Sequence, residues 1–179
     1  MKIPRIAFAA YGFALLIIVL DQLTKAWILS LPDVASIEQI PVGYVFAEVF
    51  PPILRFTFVQ NTGVSFGLFG GGEARWGLTI FSVLVSGALA WWATRADRRL
   101  LITAIGFVMG GALGNVIDRI RFGWVTDFLR FHIGEHEFPS FNIADSAICC
   151  GVGLYILAGF LQKKTEHSGD ATGGETKPA

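Results

Sequence analysis

Charge is what this sequence lacks most. Asp, Glu, Lys and Arg make up 16% of its 179 residues, whereas a soluble domain carries about 25%. The two signs balance at 14 each. No cationic excess is left to hold a polyanion, so no nucleic-acid partner is expected. Cysteine is nearly absent. Cys149 and Cys150 are adjacent, which makes a poor disulfide, and with no spaced partners they make a poor zinc site. They read as small buried residues of an apolar helix. There is no internal repeat and no stretch that reads as a soluble domain. What remains is 53% hydrophobic, with 16 Phe and 5 Trp, and a mean hydropathy of +0.57. Such a composition suits a bilayer interior and its aromatic-rich interfaces.

Four apolar stretches are long enough to cross the hydrocarbon core. They are expected at about 6–29, 76–92, 100–117 and 146–161. The first starts like a secretory signal peptide. Its apolar run is long, however, and no small-x-small cleavage site follows, so it reads as an uncleaved span. Two mixed segments, 30–75 and 118–145, separate the spans. Ile53 to Gln60 alternates and predicts a short strand, Asn61-Thr62-Gly63 a turn, and Gly70–Gly72 a flexible break. Trp124 to Phe131 is compatible with extended chain. The expected fold is therefore an all-α polytopic membrane protein, one membrane domain over 1–164, with a small extracytoplasmic β and loop region. The polar tail 165–179 is expected to be a disordered cytoplasmic extension.

Positive charge sets the orientation. Lys2 and Arg5, the Arg95–Arg99 loop and Lys163-Lys164 fall on one side when four spans are threaded, and that side is cytoplasmic by the positive-inside rule. The two mixed segments then face outward, with Trp27, Trp76 and Trp124 at the outer interface and Trp91 and Trp92 at the inner one. This threading gathers polar residues at one depth. Asp21 lies in the outer half of the first span, Asn115 and Asp118 end the third, and Asn142 and Asp145 open the fourth. Asp127 lies between those two. Ionisable residues in or beside a membrane are costly and therefore functional candidates.

Ordinary structural roles compete for several of them. Asp21 and Lys25 stand at i, i+4 in the order that favours a helical ion pair. Arg119 beside Asp118 suits a helix C-terminus. Asn142 can cap the fourth helix, with Asp145 in its first turn. Gly106, Gly110, Gly111 and Gly114 read as a close helix-packing face. His132 and His136 would share a face only on a helix, which Gly134 and Phe138-Pro139 oppose, so neither a metal nor any other cofactor is expected. Asp127, on an extended chain, would share a side with Val125, Leu129 and Phe131, where a carboxyl should hold its proton more tightly. Two carboxylates at a dehydrated interface suggest a dyad that shares one proton, activates water and protonates a leaving amine. The topology lets Asp145 pair with either Asp127 or Asp118. The same aspartates could instead serve a proton- or ion-coupled carrier. Carriers usually show repeats with broken helices at mid-bilayer, and neither is visible.

Four blocks carry a resemblance. They are Asp21-Gln22-Leu23-Thr24-Lys25, then Asn61-Thr62-Gly63-Val64-Ser65-Phe66, then Gly110 to Arg119 with Gly123 and Val125-Thr126-Asp127-Phe128, and last Phe141 to Ser146. In this order they resemble the bacterial lipoprotein signal peptidases (signal peptidase II). The resemblance implies a four-span aspartic endopeptidase of the bacterial inner membrane, with its termini in the cytoplasm and its site on the extracytoplasmic face. Its implied substrate is a prolipoprotein, cut just before a cysteine that carries diacylglycerol. The implied catalytic pair is Asp127 and Asp145. Asn115, Arg119 and Asn142 match supporting positions, and Asp21 and Asn61 match positions in other blocks. Lys25 and Asp118 join them as expected supporting or substrate-binding residues. Val64-Ser65 departs from the two small residues usual there. Membrane lipid and the prolipoprotein are the expected partners, and the chain is expected to act as a monomer.

Overall fold

A computed structural model describes residues 5–35, 43–63 and 73–172. The helices are α1 (Ala7–Ser30), the short α2 (Pro32–Ala35), α3 (Glu73–Ala93), α4 (Arg99–Arg121) and α5 (Ile143–Thr172). The strands are β1 (Tyr44–Phe50), β2 (Leu54–Asn61), β3 (Val125–Ile133) and β4 (His136–Glu137). Among the described residues, α1, α3, α4 and α5 are long and apolar enough to cross a membrane.

Helix α4 is the inner member of the bundle. Of its apolar window 61% is buried, against 28% or less in the other three. Glycine makes that possible. A Cβ added at Gly106 would stand 2.7 Å from the Ala10 carbonyl oxygen, and one at Gly110 would stand 2.7 Å from that of Ala14. On its other side, a Cβ at Gly111 would collide with the Ala144 carbonyl of α5. Helix backbones therefore touch directly, as lipid-embedded helices do when small residues line the seam. At the far end Ala10, Ala93, Ala96, Ile102 and Ile105 close the bundle.

At the end where α1 and α4 finish, the two connections fold together. Their strands make one antiparallel sheet in the order β1-β2-β3-β4. Gly123, at φ +89°, turns the chain from α4 into β3, a conformation open to glycine at little cost. The register places Val59 opposite Asp127 and Asn61 opposite Val125. Beneath the sheet Ile28, Val34, Phe58 and Phe128 form a second apolar cluster. Phe56 stacks on Phe46 and meets Trp27 and Phe128 edge to face.

Four details depart from the sequence reading. Strand β1 was not expected, because irregularities between Val45 and Ala47 and between Glu48 and Phe50 break the period-two pattern. Val125 to Phe128 are all buried, so the start of β3 is covered on both faces and has no single apolar side. Residues 165–172, expected as disordered tail, continue α5. No glycine or proline interrupts them before Gly169, and extending a formed helix is easier than starting one. Cys149 and Cys150 are exposed on α5 instead of buried, on a face that the bundle leaves to lipid. The Gly70–Gly72 break, Val64-Ser65, Phe66, Phe69 and 173–179 lie outside the described residues.

The seam yields a direct comparison. Gly110→Ala must push α1 from α4 and should cost about 1–3 kcal/mol. Gly12→Ala, with nothing within 4 Å of the added methyl, should be neutral or slightly stabilising. Thermal unfolding of the two variants in detergent measures the difference.

Candidate active site

The polar residues singled out in the sequence meet where α1, α4, α5 and β3 converge. Asn142 immediately precedes α5 and caps it. Its Oδ1 accepts the Asp145 N–H at 3.0 Å, and Asp145 Oδ2 accepts the Asn142 N–H at 3.3 Å. This is a reciprocal capping box, and it holds Asp145 in the first turn. The other Asp145 oxygen accepts from Asn115 Nδ2 at 2.8 Å.

Asp127, third in β3, is 1% exposed. Its Oδ1 accepts from Asn142 Nδ2 at 2.7 Å, and its Oδ2 from Asn61 Nδ2 at 2.9 Å. Asn142 thus bonds to both aspartates at once: its amide nitrogen to Asp127, its amide oxygen to the Asp145 backbone. Burial pushes the Asp127 carboxyl up to about 7. The Asn61 hydrogen bond opposes that shift, the neighbouring Asp145 charge adds to it, and Asn142 and Lys25 oppose it. Asp145 is only partly buried. The two carboxyls therefore sit in different surroundings, one dry and one within reach of water.

Asp21, Lys25 and Asp118 are also buried. Lys25 Nζ lies 2.8 Å from Asp21 and 3.1 Å from Asp118, and it donates to Asn115 Oδ1 at 2.9 Å. Asp21 and Lys25 therefore form the i, i+4 pair that their spacing suggested, with a third charge added from α4. A Cβ at Gly114 would stand 2.7 Å from Asp21 Oδ2, so glycine leaves that carboxylate its place. Arg119 feels the charges of Asp145, Asp127 and Asp118. It forms no direct ion pair with them among the described residues, and its Nε is buried without a partner.

Every predicted site residue is in this cluster or beside it. Gln22 was not singled out. Its Nε2 lies 2.9 Å from Asp118 Oδ1, 3.2 Å from Asp21 Oδ2 and 3.2 Å from the Gly114 carbonyl oxygen. The signal was an amide inside an apolar span, next to an acid. The two histidines fall on neighbouring strands of the β3–β4 hairpin, where His132 faces Glu137 and Ile133 faces His136. His132 Nε2 lies 3.5 Å from Glu48.

Spanning-length helices around one buried polar cluster define a multi-pass membrane protein with a polar centre. Solved structures agree. A bacterial membrane enzyme determined by the in meso method at 1.9 Å resolution superposes with a TM-score of 0.69 at 32% identity, covering 83% of this chain and 90% of that one. A second, at 2.3 Å, gives 0.67 at 30% identity, covering 95% and 93%. The signal peptidase (SPase) II family pattern matches residues 13–161. A lipoprotein signal peptidase of Shewanella pealeana is 40% identical over 165 residues, 89% of this chain and 91% of that protein. One from Caulobacter vibrioides is 40% identical over 171 residues, 94% and 96% of the two. The chain belongs to the signal peptidase II family, and is a peptidase of the bacterial membrane.

Two outcomes follow from the buried charges. Lys25→Met leaves two buried carboxylates without their cation and should cost about 3–5 kcal/mol, read as a lower unfolding midpoint in detergent. Asp127 binds its proton more tightly folded than unfolded, at about 7 against 3.8. Its contribution to stability is therefore complete below the unfolded value and is lost as pH rises through the folded one. Thermal stability of the wild type should fall from about pH 4 to about pH 7 and level off above that, and Asp127→Asn should flatten that fall.

Proposed function

We propose that the chain is an aspartic endopeptidase that removes signal peptides from prolipoproteins, with Asp127 and Asp145 as its catalytic pair. The observation that carries this reading is the Asn142 side chain, which links Asp127 to the start of α5 where Asp145 sits. Two acids of unequal burial, near enough that the Asp145 charge helps raise Asp127, suit a pair in which one carboxyl keeps its proton while the other is ionised. Asp118 is a weaker candidate, because Lys25 holds it in a buried ion pair, with Gln22 and the Thr126 N–H also on its oxygens.

The steps balance without a covalent intermediate. The ionised carboxylate, in this reading Asp145, removes a proton from water as the water oxygen attacks the scissile carbonyl carbon. The protonated carboxyl, Asp127, donates a hydrogen bond to the carbonyl oxygen on which negative charge develops. The tetrahedral adduct collapses, the C–N bond breaks, and the amine leaves with a proton returned by the pair. The guanidinium of Arg119, which interacts electrostatically with Asp145 and Asp127, is placed in this reading as the cation that offsets the developing oxyanion charge. Asn115 and Asn142 keep the carboxyls oriented.

The relatives' name points to lipoprotein precursors as substrate. We place the cut just before a diacylglyceryl cysteine whose acyl chains stay in lipid, so that their partition adds binding energy remote from the bond that breaks. The positive charges at Arg95, Arg98 and Arg99 support cytoplasmic termini and a site on the extracytoplasmic face of the inner membrane. The sheet of β1 to β4, which carries Asp127 on β3, then lies outside, where it can hold the extended peptide. The enzyme acts as a monomer with membrane lipid around it.

Asp127→Asn and Asp145→Asn should each lower kcat on a lipid-modified prolipoprotein by about a thousandfold or more, a loss of about 4 kcal/mol of transition-state stabilisation. Both variants should insert and stay monodisperse in detergent. Normal cleavage by either one removes its residue from the pair.

A further inference from the structure

The chain approaches each proposed catalytic aspartate through a backbone N–H held by another acid. Asp118 Oδ2 accepts the N–H of Thr126, the residue before Asp127, at 2.9 Å. Asp21 Oδ1 accepts the N–H of Ala144, the residue before Asp145, at 3.0 Å. The remaining Asp21 oxygen lies 2.8 Å from Lys25 Nζ, and Asp118 Oδ2 lies 3.1 Å from it. Gln22 Nε2 spans the same two acids. Lys25 also reaches Asn115 Oδ1 at 2.9 Å, which directs the Asn115 amide nitrogen onto Asp145.

From this arrangement we infer that Asp21 and Asp118, tied together by Lys25, are positioning residues that set the separation of the catalytic carboxyls. The inference rests on the assignment of Asp127 and Asp145 as the pair. One acid anchors the β3 side and the other anchors the start of α5. One cation fixes the distance between the anchors. Asn142 and the Leu129–Phe141 bridge also tie β3 to the start of α5, and the two acids add a second tie, on the residue just before each aspartate. Burial of all three charges excludes the water that would otherwise loosen the connection. An ammonium between two carboxylates in a dry site has few alternative geometries. Proton sharing depends steeply on distance, so a small slackening of these anchors acts on turnover more than on substrate binding.

The test is steady-state cleavage of a diacylglyceryl prolipoprotein by Asp118→Ala and Asp118→Asn, with Asp145→Asn as control. The alanine variant loses the acceptor for the Thr126 N–H but leaves Lys25 paired with Asp21. Its kcat should fall about tenfold or more with KM within about twofold. Asp118→Asn keeps one oxygen for that N–H and should fall between it and the wild type. A folded Asp118→Ala with wild-type kcat, or with a loss carried by KM alone, overturns the positioning role while leaving the catalytic pair intact. An active Asp145→Asn overturns the pair, and the positioning role with it. If Asp118→Ala does not fold, Asp118→Asn decides: reduced kcat at unchanged KM supports the role, and wild-type kcat overturns it.

Discussion

A lysine buried between two aspartates is the constraint around which the site end of this molecule is arranged. None of the three charges can be set alone in so dry a place, because each would lose its hydration without replacement. Together they replace it, with Lys25 reaching Asp21, Asp118 and Asn115. That requirement brings α1 and α4 together at a definite height. The Gly114 position lets Asp21 approach, and Gly106 and Gly110 let the helices lie close along the rest of their length. Small residues and paired charges thus serve one purpose, a seam tight enough to keep ions dry.

The polar cluster then grows outward from the lysine and its acids through neutral amides to Asp145. Lys25 and its acids are innermost. Asn115 and Asn142 form the next layer, each bonded on both sides. Asp145 is at the edge. Amides between charges are useful because each offers a donor and an acceptor, so orientation is relayed without adding net charge. The same logic explains why Asp127 and Asp145 differ in environment although Asn142 contacts both. One is enclosed by the sheet and the loop before α5, and the other stands at an open helix end.

Much of this was legible in the sequence. The spans followed from apolar length, and the meeting of Asp21, Asn115, Asp118, Asn142 and Asp145 followed from threading four spans in order. The capping role of Asn142 was readable from its place before an apolar run. Other features were not readable, for physical reasons. The bulges of β1 destroyed the alternation that would have marked it as a strand. The exposure of Cys149 and Cys150 depends on which face of α5 meets α4, and an all-round apolar helix does not declare that. The partners of Asp118 depend on backbone N–H groups, which every residue but proline has, so no residue type points to Thr126 or Ala144.

The i, i+4 pairing of Asp21 with Lys25 has a consequence for biogenesis. Chains emerge N-terminus first, so α1 meets lipid long before α4 has been made. At that stage Asp118 does not yet exist as a partner. Two opposite charges one helical turn apart can neutralise each other within a single span, which lets the newborn helix enter the bilayer and wait. The third charge arrives with α4 and completes the buried cluster of Lys25 and its two acids.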